Sequence, residues 1–453
     1  MGRGSLEVDP QVTRRIGIFG HVGNQNLGDE AIIAAIIQNI RRRYPDAEFC
    51  GFTLNPEDTE KRHNIAAFPI RRIVNIQEGV HEQDHSGPKE NAWIGVLLGK
   101  IKVGLKSFPL IFSFLKKTQH ILYMLADSLK EPGFLLQSNR NLKGVDLLII
   151  AGSQQLIDYV AGGPWGHPFT IFKWVLLARA NKAKVAFVSC GAGPIQSALS
   201  RFFIRTSLSL ASYRSFRDEV SRKCIEELGG AGQDHVFPDL VYSLCINHWM
   251  SDAVSSTPRR IVGINPVPFF DAEGWVGGGA RPYEIYLEKL VRFASWLVDR
   301  DYAIMFFPTQ LRADPPVIAD LQRLMKQNCN SNIEKNIIDY PIDSFSDLLS
   351  ALSMTSLIVA TRFHGIVIPY LLNKPILGIA YANKTDALME MMGQREYGLD
   401  ILHFTVESLQ ERFISLESKM EENKRLIAQR VSSHRESLEL QYNEIFKLLE
   451  SDK

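Results

Sequence analysis

Leu357-Ile358-Val359-Ala360 is an apolar run of strand length. It ends at Thr361-Arg362-Phe363-His364-Gly365. Ile366 to Leu372 then reads as a helix, and Lys374-Pro375-Ile376-Leu377-Gly378-Ile379 returns to strand. Strand, loop, helix, strand is a βαβ unit, and a crossover helix commits its strands to run parallel. Parallel sheets bind ligands at the carboxyl ends of their strands. The helix that follows offers free N–H groups and a positive dipole end there. Arg362 and His364 beside such a helix start suit an anion, most simply a phosphate or carboxylate.

The same alternation opens the chain. Ile16 to Gly20 is a short strand and His21 to Asp29 a glycine- and asparagine-rich loop. Glu30 to Arg43 carries Ile32, Ile33, Ile36, Ile37 and Ile40 at helical spacing, and Phe49 to Leu54 is a second strand. Residues 81–91 are polar and read as a loop. Alternation resumes at Val145–Gly152 and continues through helix Pro168–Asn181, strand Val185–Cys190, helix Phe202–Ser212 and helix Glu219–Leu228. A polar stretch, Ser251–Arg260, reads as a linker. The pattern restarts with Arg260–Asn265, a glycine-rich loop through Gly274 and Gly277 to Gly279, helix Pro282–Asp301 and strand Ala303–Phe307, and runs on to residue 393.

With 453 residues the chain exceeds one compact core. The reading is a first α/β lobe over 1–250, a second over 258–405 and a helical segment over 406–453, with a cleft between the lobes. The last segment is a brace for the first lobe or a dimerisation element. An apolar and basic insertion at about 92–129 mixes Trp93, Phe108, Phe112 and Phe114 with Lys100, Lys102, Lys106, Lys116 and Lys117. It is a helical insertion packed on the first lobe or an interfacial surface for membrane or lipid-linked substrate.

A 45% hydrophobic, 22% charged composition is that of a soluble globular protein, and a net charge of +1 gives no global field that favours nucleic acid or an acidic membrane. Five dispersed cysteines without a C-x-x-C pair suit buried thiols in a reducing compartment better than disulfides or zinc. The start lacks a signal-peptide core and no apolar run reaches membrane-span length, so a cytoplasmic location is expected.

Each predicted strand end carries polar residues. Asn26, Gly28, Asp29 and Glu30 follow the first strand, where carboxylates suit sugar hydroxyls or act as general bases. The Asp29-Glu30 pair also reads as a helix cap. Gln154, Gln155 and Asp158, with Trp165 and His167 behind them, follow the strand at Val145–Gly152, and Trp165 reads either as a ring to stack on a sugar face or as a simply packed loop aromatic. Gly193 lies after Cys190. In Tyr213-Arg214-Ser215-Phe216-Arg217-Asp218, Ser215 and Arg217 share one orientation and Arg214 the other. Thr309 and Gln310 end a second-lobe strand, with Asp314 beyond them, and Lys384 lies downstream of Tyr381. Neither a phosphate loop, a serine-centred elbow nor a metal-binding His cluster is present in the sequence.

Taken in order, Gly23-Asn24…Asn26-Leu27-Gly28-Asp29-Glu30, Gly193-Pro194, Ser215-Phe216-Arg217-Asp218, Pro238-Asp239, Arg362-Phe363-His364-Gly365 and Tyr381…Lys384 resemble the polysaccharide pyruvyl transferase family over roughly residues 16 to 393. One departure is Gly152-Ser153-Gln154, where a glycine triplet is common in that family. The resemblance implies an α/β fold of two Rossmann-like lobes facing a cleft, similar to the GT-B glycosyltransferases. It implies phosphoenolpyruvate as donor, a glycan or sugar conjugate, lipid-linked or not, as acceptor, a pyruvate ketal as product and phosphate released. Cofactor and metal are not required by that chemistry, and the partners left open are a peripheral membrane contact and a second copy of the chain. Arg217, Arg362, Phe363, Gly365, Lys384, Thr309 and Gln310 are then the donor residues. His364 with Asp29 or Glu30 handles protons, and Asn26, Gly28, Gln154, Gln155, Asp158, Trp165 and Gly193 face the acceptor. A nucleotide-sugar glycosyltransferase and a non-catalytic scaffold of the same fold are the rival readings.

Overall fold

The computed structural model describes residues 13–20, 23–72, 131–158, 163–229, 234–249, 260–269, 280–328, 334–381 and 383–451. The polar residues 81–91, the insertion at 92–129, His21, most of the linker and the glycine-rich loop through Gly274 and Gly277 to Gly279 lie outside the described residues. Residues 71–72 and 131–143, with α3 (Glu131–Asn141), belong to a unit separate from the remaining chain.

The remaining chain forms one unit containing two sheets. The first holds β1 (Arg15–Phe19), β2 (Glu48–Thr53), β3 (Ala66–Pro69), β4 (Leu147–Ala151), β5 (Lys184–Cys190), β6 (Tyr213–Phe216) and β7 (His235–Val236) in the order β3-β2-β1-β4-β5-β6-β7, all parallel. The second holds β8 (Ile261–Asn265), β9 (Ala303–Phe306), β10 (Ile337–Ile338), β11 (Leu357–Ala360), β12 (Ile376–Ala380) and β13 (Gly398–Asp400) in the order β10-β9-β8-β11-β12-β13, also parallel. Central strands such as Leu147–Ala151 and Leu357–Ala360 are buried along their whole length. That is why they read as unbroken apolar runs and not as alternating ones.

Three boundaries differ from the sequence reading. The first helix, α1 (Leu27–Arg43), begins before Glu30, because Asn26 is its cap: the Asn26 side chain accepts from the Gly28 N–H at 3.1 Å. Asp29 and Glu30 therefore sit in the first turn instead of capping it. The fourth helix, α4 (His167–Ala180), and the fifth, α5 (Ala198–Ser209), follow β4 and β5, and α5 starts four residues before Phe202. The C-terminal segment is two helices, α12 (Val406–Ser418) and α13 (Met420–Glu450), broken at Lys419.

These last helices link the lobes. Phe413 of α12 packs edge-on against Phe293 and Tyr302 of the second lobe. At the start of α13, Asn423 donates to the Tyr397 hydroxyl at 3.1 Å. Further along, Arg435 donates to the Tyr242 carbonyl at 3.1 Å, Gln441 accepts from Ser189, and Lys184 donates to the Leu448 carbonyl at 2.6 Å, all on the first lobe. A short strap joins the lobes elsewhere. Asn26 and Gln310 form an antiparallel bridge, Leu27 N–H donates to the Thr309 carbonyl at 2.8 Å, and Leu311 N–H to the Gln25 carbonyl at 2.9 Å.

Candidate active site

In the first sheet the strand order reverses between β1 and β4, and in the second between β8 and β11. Such switch points open a crevice beyond the strand ends. The loops after β1 and β4 and the loop after β11 carry the residues singled out in the sequence.

Thr361 and Arg362 follow β11, and Arg362 is the extended residue before α10 (Phe363–Leu371), with φ −71° and ψ 141°. This places His364 in the first turn of α10, over the first turn of α1. A Cβ on Gly28 would fall 2.0 Å from His364 Cγ and Nδ1. Gly28, having no side chain, leaves the space that the imidazole occupies. Two helix starts from opposite lobes meet here, which concentrates positive dipole ends on one spot.

Around the imidazole lie Asp29, Asp239 and Arg217, all buried. Asp239 follows β7, and its Oδ1 accepts from the Val241 N–H at 3.1 Å. Its Oδ2 lies 3.7 Å from both His364 Nε2 and Arg217 Nη1, longer than a hydrogen bond. Arg217 leaves the end of β6, lies 3.6 Å from Asp218 and stacks its guanidinium 4.1 Å from the Phe363 ring centre. Asp218 caps α6 (Glu219–Glu226) through the Ser221 N–H. Four buried atoms of this group have no hydrogen-bond partner: Asp29 Oδ1, Arg217 Nε, Asp239 Oδ2 and His364 Nε2. Unpaired buried polar atoms are rare in native folds, and a cluster of them marks a site built for something else.

The electrostatics separate the two aspartates. Burial raises the Asp29 carboxyl above its ordinary 3.8, and Glu30 and Asp239 add to the rise against the pull of His364 and Ser153. Burial also acts to raise Asp239, but His364, Arg217 and the Val241 N–H outweigh it and hold that carboxyl low. The two carboxyls are thus pushed in opposite directions, Asp29 up and Asp239 down, the kind of split that general acid–base chemistry uses.

At the cleft wall, Arg362 donates through Nε and Nη2 to Asp314 at 3.0 and 2.6 Å. Lys384, at the start of α11 (Asn383–Met391), reaches across to Gln154 Oε1 at 3.2 Å and lies 5.6 Å from the Tyr381 ring centre. Burial acts to raise the Tyr381 phenol, yet Lys384 and Arg362 outweigh it and hold the phenol below its ordinary 10.0.

Other predicted site residues have their polar atoms committed within the fold. Glu30 bonds His63 Nε2 at 2.7 Å and the Gly23 N–H at 3.2 Å, so it orders its own loop. Gln155 bonds the Ala151 carbonyl and His167, and Asp158 accepts from Gln196 and Ser197 N–H groups. Gln310 bonds the Asn24 carbonyl and the Arg312 and Ala313 N–H groups, while Thr309 offers its backbone to Leu27 and Asp314. Gly193 bonds Leu156 through its N–H. Gly365 leaves room for Asn265, whose Oδ1 a Cβ would meet at 2.2 Å and which accepts the Arg362 N–H. Trp165 is 65% exposed and its ring contacts are with Phe169 and Phe203. Sequence reasoning missed Asp239 and Asp314 as site residues. Both follow strand ends, which was the available signal, but only the tertiary fold shows which basic group each one meets.

Two all-parallel sheets with their switch points turned to one another and a C-terminal helix crossing back define a GT-B-type α/β protein. Solved structures agree: a UDP-N-acetylglucosamine 2-epimerase matches at TM-score 0.53 with 11% identity over 95% of this chain and 96% of the other. A glycosyltransferase from Rickettsia africae matches at 0.52 with 12% identity over 97% and 100%. At such identity they speak for the fold alone. No curated protein matches the chain in sequence. The chain belongs to the polysaccharide pyruvyl transferase family, whose model matches residues 26–383, and so to a family of transferases.

Proposed function

We propose that the protein transfers the pyruvyl group of phosphoenolpyruvate to a glycan or sugar conjugate as a ketal and releases phosphate. The observation that carries this reading is the cluster of four unpartnered buried atoms at Asp29, Arg217, Asp239 and His364, drawn from both lobes and flanked by Arg362 and Lys384.

In the reaction a proton adds to the methylene carbon, and one acceptor hydroxyl attacks the carbon bearing the phosphate ester. That hydroxyl loses its proton. The C–O bond to phosphate then breaks, and a second hydroxyl closes the ketal as its proton leaves. Phosphoenolpyruvate carries a phosphate and a carboxylate, and arginine forks bind both well. Arg217 and Arg362, one from each lobe, supply positive charge, Arg362 from its place against Asp314, so donor binding draws the lobes together. Lys384 adds charge beside them. His364 and Asp29 share the proton transfers, with the Asp239 carboxylate 3.7 Å from the imidazole. Asn26 and Gln154 border the acceptor side. The scheme needs neither metal nor cofactor.

Donor consumption tests it. Incubation with phosphoenolpyruvate and a mixture of glycan acceptors should release phosphate, and incubation with nucleotide sugars should release no nucleotide. Nucleotide release with phosphoenolpyruvate left intact would instead place the protein among glycosyltransferases, and neither release would favour a scaffold.

A further inference from the structure

We propose that the outer face of α4 and α5 docks on an anionic lipid bilayer. The inference does not depend on the reaction.

Three arginines line a cavity of about 560 Å³ beside α5. Arg201 and Arg205 are exposed and one turn apart on α5, and Arg214 is a buried residue of β6. Arg214 meets Asp234 at 2.6 Å, while Arg205 has no acidic partner among the described residues. The α5 residues lining the cavity recur every three or four positions, so one whole face of the helix is turned to it. Phe202 lies on that same wall and is 56% exposed.

Phe202 also belongs to an aromatic layer that continues onto α4. Its ring lies tilted beside Phe172 at 6.1 Å and Phe203 at 5.8 Å, and Trp165 meets Phe203 at 5.7 Å. With Trp165 65% and Leu176 42% exposed, the layer presents large apolar side chains to water beside a basic hollow. No helix among the described residues is long and apolar enough to cross a membrane. Peripheral contact needs only what is here: Trp and Phe to enter the headgroup region, and arginines to hold lipid phosphates. The charge sign selects anionic lipid. Phosphate is the group that Arg201 and Arg205 at one hollow would take, Arg214 being neutralised by Asp234, and the adjoining aromatics supply what a free phosphate would not use.

The test is co-sedimentation of the full chain at low salt with vesicles of phosphatidylglycerol and phosphatidylcholine, or of phosphatidylcholine alone. Binding to the anionic vesicles only is expected. Removing Arg201 and Arg205 as Arg201→Ser/Arg205→Ser should weaken it at least tenfold, at about fivefold per basic residue. Trp165→Ser/Phe202→Ser should weaken it as well, with circular dichroism confirming that each variant is folded. If the arginine pair matters and the aromatic pair does not, the hollow holds a phosphate without a bilayer, and the proposal falls. It falls equally if the native chain does not sediment, or if both variants bind as the native chain does. Should Arg201→Ser/Arg205→Ser fail to fold, Arg205→Ser alone, at an exposed position, gives the same reading with a smaller expected loss.

Discussion

At the residue scale the site rests on close fits. Gly28→Ala places a Cβ where the His364 ring lies. It should cost activity by roughly 10²-fold or more while α1 stays helical, since the imidazole must leave its place. Kinetics with a far-ultraviolet spectrum checks both halves. Ser153 occupies the left-handed region at φ 52°, where glycine is favoured, and its hydroxyl lowers the Asp29 carboxyl. Ser153→Gly should relieve about 1 kcal/mol of strain and let Asp29 rise further, moving the limb of the pH–rate profile that belongs to Asp29 to higher pH. Asp29 itself has a sign that can be read. Its folded value is raised, so it favours the fold below the ordinary carboxylate range and loses that contribution as pH rises through the folded value. Asp29→Asn should therefore melt at a higher temperature than the native chain at pH 7.5, with the gap closing as pH falls, while turnover collapses. Arg362 and His364 were legible in the sequence because a strand end before a helix is a recognisable place. The role of Gly28 was not, because the ring that fills its space lies more than three hundred residues away.

At the element scale, helix and strand could be read wherever periodicity was strong, and boundaries shifted where a side chain decided them, as Asn26 does for α1. The long C-terminal segment read as helical from its composition, but its course from the second lobe to the first depends on partners such as Tyr397 and Tyr242, which no local pattern names. In α13, His434 packs its ring 4.8 Å from Tyr242, and burial pushes it down to about 4. A lowered histidine stabilises the fold above its ordinary 6.5 and loses that contribution as pH falls from 6.5 toward about 4. Between pH 7.5 and pH 5 the brace should lose about 1–2 kcal/mol, allowing for partial exposure. His434→Phe should flatten that dependence in thermal melts. An equally steep loss in the variant would show the brace to be insensitive to this residue.

At the scale of the whole molecule, the alternation of strands and helices announced two α/β lobes, and the two sheets carry them. What the alternation could not supply was the strand order, which brings loops from distant stretches to facing switch points. Nor could it show that Thr309 and Gln310 strap the lobes together. Gln310→Ala would strip partners from the Asn24 carbonyl and the Arg312 and Ala313 N–H groups, costing roughly 1–3 kcal/mol of stability. Calorimetric affinity for phosphoenolpyruvate should be unchanged, in contrast to Arg217→Ala, where loss of a charged hydrogen bond worth roughly 1.5–3 kcal/mol weakens it about tenfold or more. The central claim is that this arrangement moves pyruvate onto a glycan. Mass spectrometry of glycan acceptors incubated with phosphoenolpyruvate tests it most directly. The account predicts an acceptor that gains one pyruvate less one water with the native chain, and 10²–10⁴-fold less of that product with folded His364→Asn. A ketal formed as fast by His364→Asn, or a hexosyl mass gained from a sugar nucleotide in its place, would contradict it.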